Sequence, residues 1–226
     1  MPWSRVARVI SPLGWNAVLA MHNLVALAAN ALQVYGVLVW HWDTFQILML
    51  FWLETLIVGF WALMRIAIVP SDQLGEITIN GRAVAATHKM MMLLVGPLFA
   101  AIAAAHLLFL WVIFSGRWSD VVHGPVSFVS EFIDKPEAWI PLLSTFIAGA
   151  IGYLRYSSLK KISEGATQID GFGDAVGAPF GRIAILQVAI ILGAILSQKA
   201  GSTTPWLILI CIKTLFDYRQ PNSAKS

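Results

Sequence analysis

The chain has 226 residues, 58% of them hydrophobic and only 12% charged, with a formal net charge of +3. Soluble domains average roughly 25% charged residues, so this composition excludes a water-soluble globular protein and leaves no length for a sizeable soluble domain. The single cysteine, Cys211, excludes disulfides and cysteine-based zinc sites, and no basic surface interleaved with aromatics points to nucleic acid.

Six apolar runs follow one another along the chain. About 20 apolar residues span the ~30 Å hydrocarbon core of a bilayer, which sets the scale for reading them. The first run, 14–39, follows Arg5 and Arg8 and resembles a signal peptide with a cleavage site at Ala29-Asn30-Ala31. Its apolarity continues to Trp40, however, so it reads as a retained span. The second, 44–69, is almost wholly apolar except for Glu54 at its centre and Arg65 near its far end. A third covers 91–114, and a fourth covers 138–154 with Pro141 in its first turn, where proline is tolerated. The fifth is 178–197; the sixth, 203–217, is short and carries Lys213. The expected fold is an all-α membrane protein in which residues 1–226 form one bundle of six transmembrane helices.

The connections carry weaker signals. Glu76-Ile77-Thr78-Ile79-Asn80-Gly81 alternates in polarity and ends in Asn-Gly, which predicts a small hairpin or turn. Residues 115–137 mix acidic and apolar side chains and read as a short helix lying along the interface. The glycine-rich segment 157–181 reads as a linker, since no strand precedes its glycines.

Charge sets the orientation. Of the 15 Lys and Arg, all but Arg117, Lys135 and Lys199 fall on one side of this topology, a strong positive-inside signal that places both termini in the cytoplasm. Trp40, Trp42, Trp118, Trp139 and Trp206 fall at the opposite ends, as an interfacial belt would. The expected location is a cell's inner membrane, crossed several times.

Polar residues within the spans are the candidate functional groups. An ionisable side chain at the centre of a span costs about 2.5 to 3.5 kcal/mol on insertion scales, so it normally faces a protein interior. Asn30, Glu54 and His106 each lie about 15 residues from the inner ends of spans one, two and three, and at ~1.5 Å per residue all three sit near the midplane. This predicts one cluster, with Glu54 as the charged centre, His106 as its proton-sensitive partner and Asn30 as an orienting group. A second polar layer nearer the cytoplasm holds His22, Asn23, Gln187, Arg182, Lys213 and Asp217. Lys213 and Asp217 are four residues apart, on one helical face. Membrane lipids are expected partners of the basic rim. His41, Asp43, Asp120 and His123 near the outer surface include metal-ligating types, but their spacing is not diagnostic and no metal or other cofactor is assigned. Ala100, Ala101, Ala104 and Ala105, with Ala148 and Gly152 in span four, favour close helix approach.

The elements Phe51-Trp52-Leu53-Glu54-Thr55, the His106-bearing third span, Gly181-Arg182-Ile183 and Lys213-Thr214-Leu215-Phe216-Asp217 together resemble an uncharacterised family of bacterial polytopic inner-membrane proteins. The resemblance implies further histidines in spans three and five, where this chain has Leu98 and Gln187, so a multi-histidine metal site is not expected. It implies no activity. The leading functional reading is therefore binding or transport of a small solute, ion or proton through the midplane cluster. The alternative is a non-catalytic accessory or assembly subunit, working as a homo-oligomer or within a membrane complex. An enzyme is the less favoured class.

Overall fold

The computed structural model describes residues 31–71, 74, 76–79 and 81–162, together with positions 24, 27, 181, 183, 184 and 188. In chain order these form a helix whose continuous described part is 31–38 (α1), then α2 (Thr44–Ile66), a hairpin of β1 (Glu76–Ile79) and β2 (Arg82–Ala85), α3 (His88–Phe114) and α4 (Pro136–Ile162). Thr44–Ile66, His88–Phe114 and Pro136–Leu154 are each long and apolar enough to cross a membrane, as an integral membrane protein requires. The expected fifth and sixth spans lie outside the described residues, except for helical positions 181, 183, 184 and 188.

α2 is the central helix. Half of its apolar window is buried, against 22% for α3 and 11% for α4, and the main helix contacts run from α2 to each of the other two. The two seams use different faces of α2. Toward α3, Trp52 Nε1 donates to Ala103 O at 2.9 Å, and Gly59 leaves the notch that the Phe99 ring fills. Toward α4, the Trp61 indole lies over Gly149 and the Arg65 guanidinium over Gly152. Both seams use glycine to bring a large side chain against a backbone, the usual way helices approach where lipid supplies no hydrophobic drive. On α3 the buried stripe is Met91, Val95, Phe99, Ala103 and Leu110. Ala100, Ala101, Ala104 and Ala105 are exposed among the described residues and take no part in the seam with α2, which instead pairs Phe99 with a glycine.

The helix limits follow local chemistry more than apolarity. α3 starts at His88, ahead of the expected 91, because Thr87 caps it by accepting from Met90 N at 3.3 Å. His88 Nε2 also donates to Val69 O at 2.6 Å, tying this start to the end of α2. α4 runs past the expected 154 to Ile162, since polarity ends the apolar run without breaking the helix. The hairpin forms as expected, with Glu76 opposite Ala85 and Ile79 opposite Arg82, and Gly81 supplies the positive φ of 77° that the turn needs. The expected interfacial helix is broken into a 3₁₀ turn (Gly116–Asp120), one α-helical turn (Pro125–Phe128) and a π-helical turn (Val129–Ile133).

Asp43 organises the end of the bundle that carries the tryptophans. Its carboxylate accepts from Gln46 N at 2.9 Å while the Gln46 side chain accepts from Asp43 N at 2.9 Å, a reciprocal cap on α2. The other oxygen accepts from the buried indole of Trp118 at 2.8 Å and from Arg117 at 3.2 Å. The exposed Arg117 pair contributes little. Losing the cap costs about 1 kcal/mol, and a stranded indole N–H about as much again. Asp43→Ala is thus expected to destabilise the protein by roughly 2 kcal/mol. Asp43→Asn keeps one accepting oxygen but sets an amide donor against either the Gln46 N–H or the Trp118 indole, so it should recover at most about half of the loss in thermal melts of the detergent-solubilised protein.

Candidate functional site

Glu54 is fully buried, the eleventh residue of α2 and so near the centre of its span. Its Oε1 accepts from Gln33 Nε2 of α1 at 2.8 Å and from Thr145 Oγ1 of α4 at 3.3 Å. Three helices therefore meet at one carboxylate oxygen. Gln33 is itself 1% exposed, and Thr55 beside Glu54 turns its hydroxyl back to Phe51 O at 2.8 Å. The groups around Glu54 are donors held on separate helices, an arrangement suited to fixing a negative centre in a medium of low dielectric.

His106 does not join it. Its Nδ1 donates to Ile102 O at 2.8 Å, one turn back on α3, and no hydrogen bond or ion pair links it to Glu54 among the described residues. The reason is angular. Trp52, Gly59 and Leu63 carry the α3-facing side of α2, and Glu54, two residues after Trp52, lies about 200° round the helix from it. Glu54 and His106 share a depth but not a face. His106 Nε2 is buried and has no hydrogen-bond partner among the described residues.

Asn30, His22, Asn23, Gln187, Arg182, Lys213 and Asp217 lie outside the described residues. Among those of the outer surface, Asp43 is occupied by its cap and its indole and guanidinium partners. Gln33 and Thr145 are the two site residues that sequence reading missed. Gln33 was legible as one of four amides in an apolar run, with Asn16, Asn23 and Asn30, whereas a span threonine ordinarily bonds its own helix backbone and gives no signal.

Residues 17–226 match the sequence profile of a family of unknown function, DUF6498. The chain belongs to this family. Its membership agrees with the expectation of an uncharacterised family, and the family's description names no reaction, ligand or partner. No curated protein and no solved structure matches the chain. For this DUF6498 member, function must be argued from the site itself.

Proposed function

We propose that the protein binds a small cation, proton or donor-bearing solute at Glu54 and carries it across a bacterial inner membrane. The observation that supports this reading is the fully buried carboxylate at mid-span, held through one oxygen by donors from two other helices. Burying an ionisable group there costs about 2.5 to 3.5 kcal/mol. Polar contacts between membrane helices return about 0.6 kcal/mol each, so those from Gln33 and Thr145 offset part of that cost. A carboxylate kept at mid-span at this cost fits a site that needs its charge.

The test is flux into proteoliposomes, with proton, sodium and potassium as the probes. Wild type is expected to exceed protein-free vesicles for at least one of them, and Glu54→Gln, which keeps the shape of the side chain, to lose most of that flux at unchanged folded yield. No wild-type flux, together with a Glu54→Gln variant that fails to accumulate, would reject transport and leave the accessory or assembly role.

A further inference from the structure

A second site stands apart from Glu54, at the tryptophan-bearing end of the bundle. A cleft of about 210 Å³ opens there between the α1–α2 turn and the segment leading into α4, and its walls include Trp40, Trp42, Trp118, Glu131, Lys135 and Glu137. His41 between the first two adopts the left-handed conformation at φ 52°, and the flanking indoles lie 6.0 Å apart, tilted by 32°. The opposite wall is built on the π-helical turn that carries Glu131, a rare geometry found most often at functional sites.

The charge of this cleft points to a cation. Two carboxylates oppose one ammonium, and that ammonium already illustrates the chemistry: Lys135 Nζ sits 5.8 Å from the centre of the Trp118 ring and 3.9 Å from Glu131. Glu137 adds an oxygen, Oε2, that is sealed from solvent and has no hydrogen-bond partner among the described residues. Its place in the first turn of α4 suits a helix dipole, but that interaction works for an exposed carboxylate and does not call for a sealed one. A hard metal ion would need six or more oxygen ligands, which two carboxylates flanked by indoles do not provide. A weakly hydrated ammonium, by contrast, is what indole faces attract most strongly. The cleft is also smaller than the ~300 Å³ at which pockets for drug-sized ligands begin, so it suits a head group more than an extended molecule.

We infer that this cleft binds a quaternary ammonium group, with Trp40 and Trp42 as the aromatic walls, Glu137 as the counter-charge and Lys135 as an internal competitor. The group could be presented by a free solute or by a choline lipid, and the two share the same chemistry.

The experiment uses the full-length protein in maltoside detergent, which carries no ammonium, with tetramethylammonium and choline as calorimetric titrants. Saturable binding is expected, weakened about tenfold in Trp40→Ala and in Glu137→Gln. Lys135→Ala is the decisive variant: Arg117 stays 5.9 Å from the Trp118 ring, but freeing Glu131 and removing the nearer ammonium should tighten binding severalfold, which no folding defect can imitate. Absence of saturable binding, or a Lys135→Ala variant that binds no better than wild type, would overturn the inference. Nanodiscs separate the sources. If choline lipid is the ligand, phosphatidylcholine discs block choline binding and phosphatidylglycerol discs do not; if a free solute is the ligand, choline binds equally in both.

Discussion

Gly149→Leu is expected to destabilise the protein by about 3 kcal/mol or more. A Cβ at this position would overlap the root of the Trp61 ring, at Cγ and Cδ1, where rotation of the indole about its own axis cannot clear it. Trp61 in turn packs against Phe146 at 5.1 Å and Tyr153 at 5.5 Å, so it cannot move without displacing the rest of the α2–α4 seam. Overpacking typically costs about 1 to 3 kcal/mol, and a rigid ring against a backbone belongs at the top of that range or above it. The same seam brings Thr145 to Glu54, so the site should be lost with it. Gly96→Ala is the milder comparison. Away from its chain neighbours its Cβ would meet only Leu63, at an ordinary 3.9 Å, while the gain of roughly 0.5 to 1 kcal/mol from replacing a helical glycine is offset by the Pro97 ring, which crowds a preceding Cβ in a helix. The thermal midpoint should fall steeply in Gly149→Leu and change little in Gly96→Ala.

Much of this architecture is written in local patterns that depend on no neighbour. The apolar runs containing α2, α3 and α4 are visible because a span must be apolar over its whole length. The hairpin is visible because Asn-Gly suits few other turns, and Gly81 occupies the positive-φ position that this dipeptide predicts. The Asp43 cap was equally available, as an acidic residue three positions before a glutamine at the head of an apolar run, the signature of a reciprocal cap. What sequence does not display is rotation about a helix axis. Depth counting placed His106 level with Glu54, but only the seam chosen by Trp52 and Gly59 decides which side of α2 meets α3.

Depth counting also leaves out the lean of side chains along the axis. Side chains lean toward the N-terminus of their helix, and α1 enters the turn that α2 leaves, so the two run in opposite directions. Glu54 leans toward the tryptophan end and Gln33 leans away from it, so they converge from different Cα depths. Matching Cα depths therefore passes over Gln33, which reaches the carboxylate from nearer the turn, while the expected Asn30 lies outside the described residues.

The Gln33–Glu54 contact offers the sharpest separation of function from packing. Gln33→Leu leaves the carboxylate in place and removes its shorter donor bond, which should lower stability by about 2 kcal/mol, since stranding a buried polar group costs roughly 1 to 3, more than the contact itself returns. Glu54→Leu works the other way. It removes a burial cost of about 3 kcal/mol and gives up contacts of about 0.6 kcal/mol each, those to Gln33 and Thr145 among the described residues, so this variant should fold about as well as wild type. With both residues changed to leucine, the Gln33→Leu defect should largely disappear, because an apolar pair of similar volume leaves no charge to satisfy. Unfolding by SDS titration in bicelles measures all four corners of this cycle, and the sign at one corner decides the matter. If Glu54→Leu alone costs more than about 2 kcal/mol, the carboxylate holds the helices together and its conspicuous position is explained by stability. A Glu54→Leu protein that is stable yet inactive in flux would instead be the trade expected where a strained group is kept for activity.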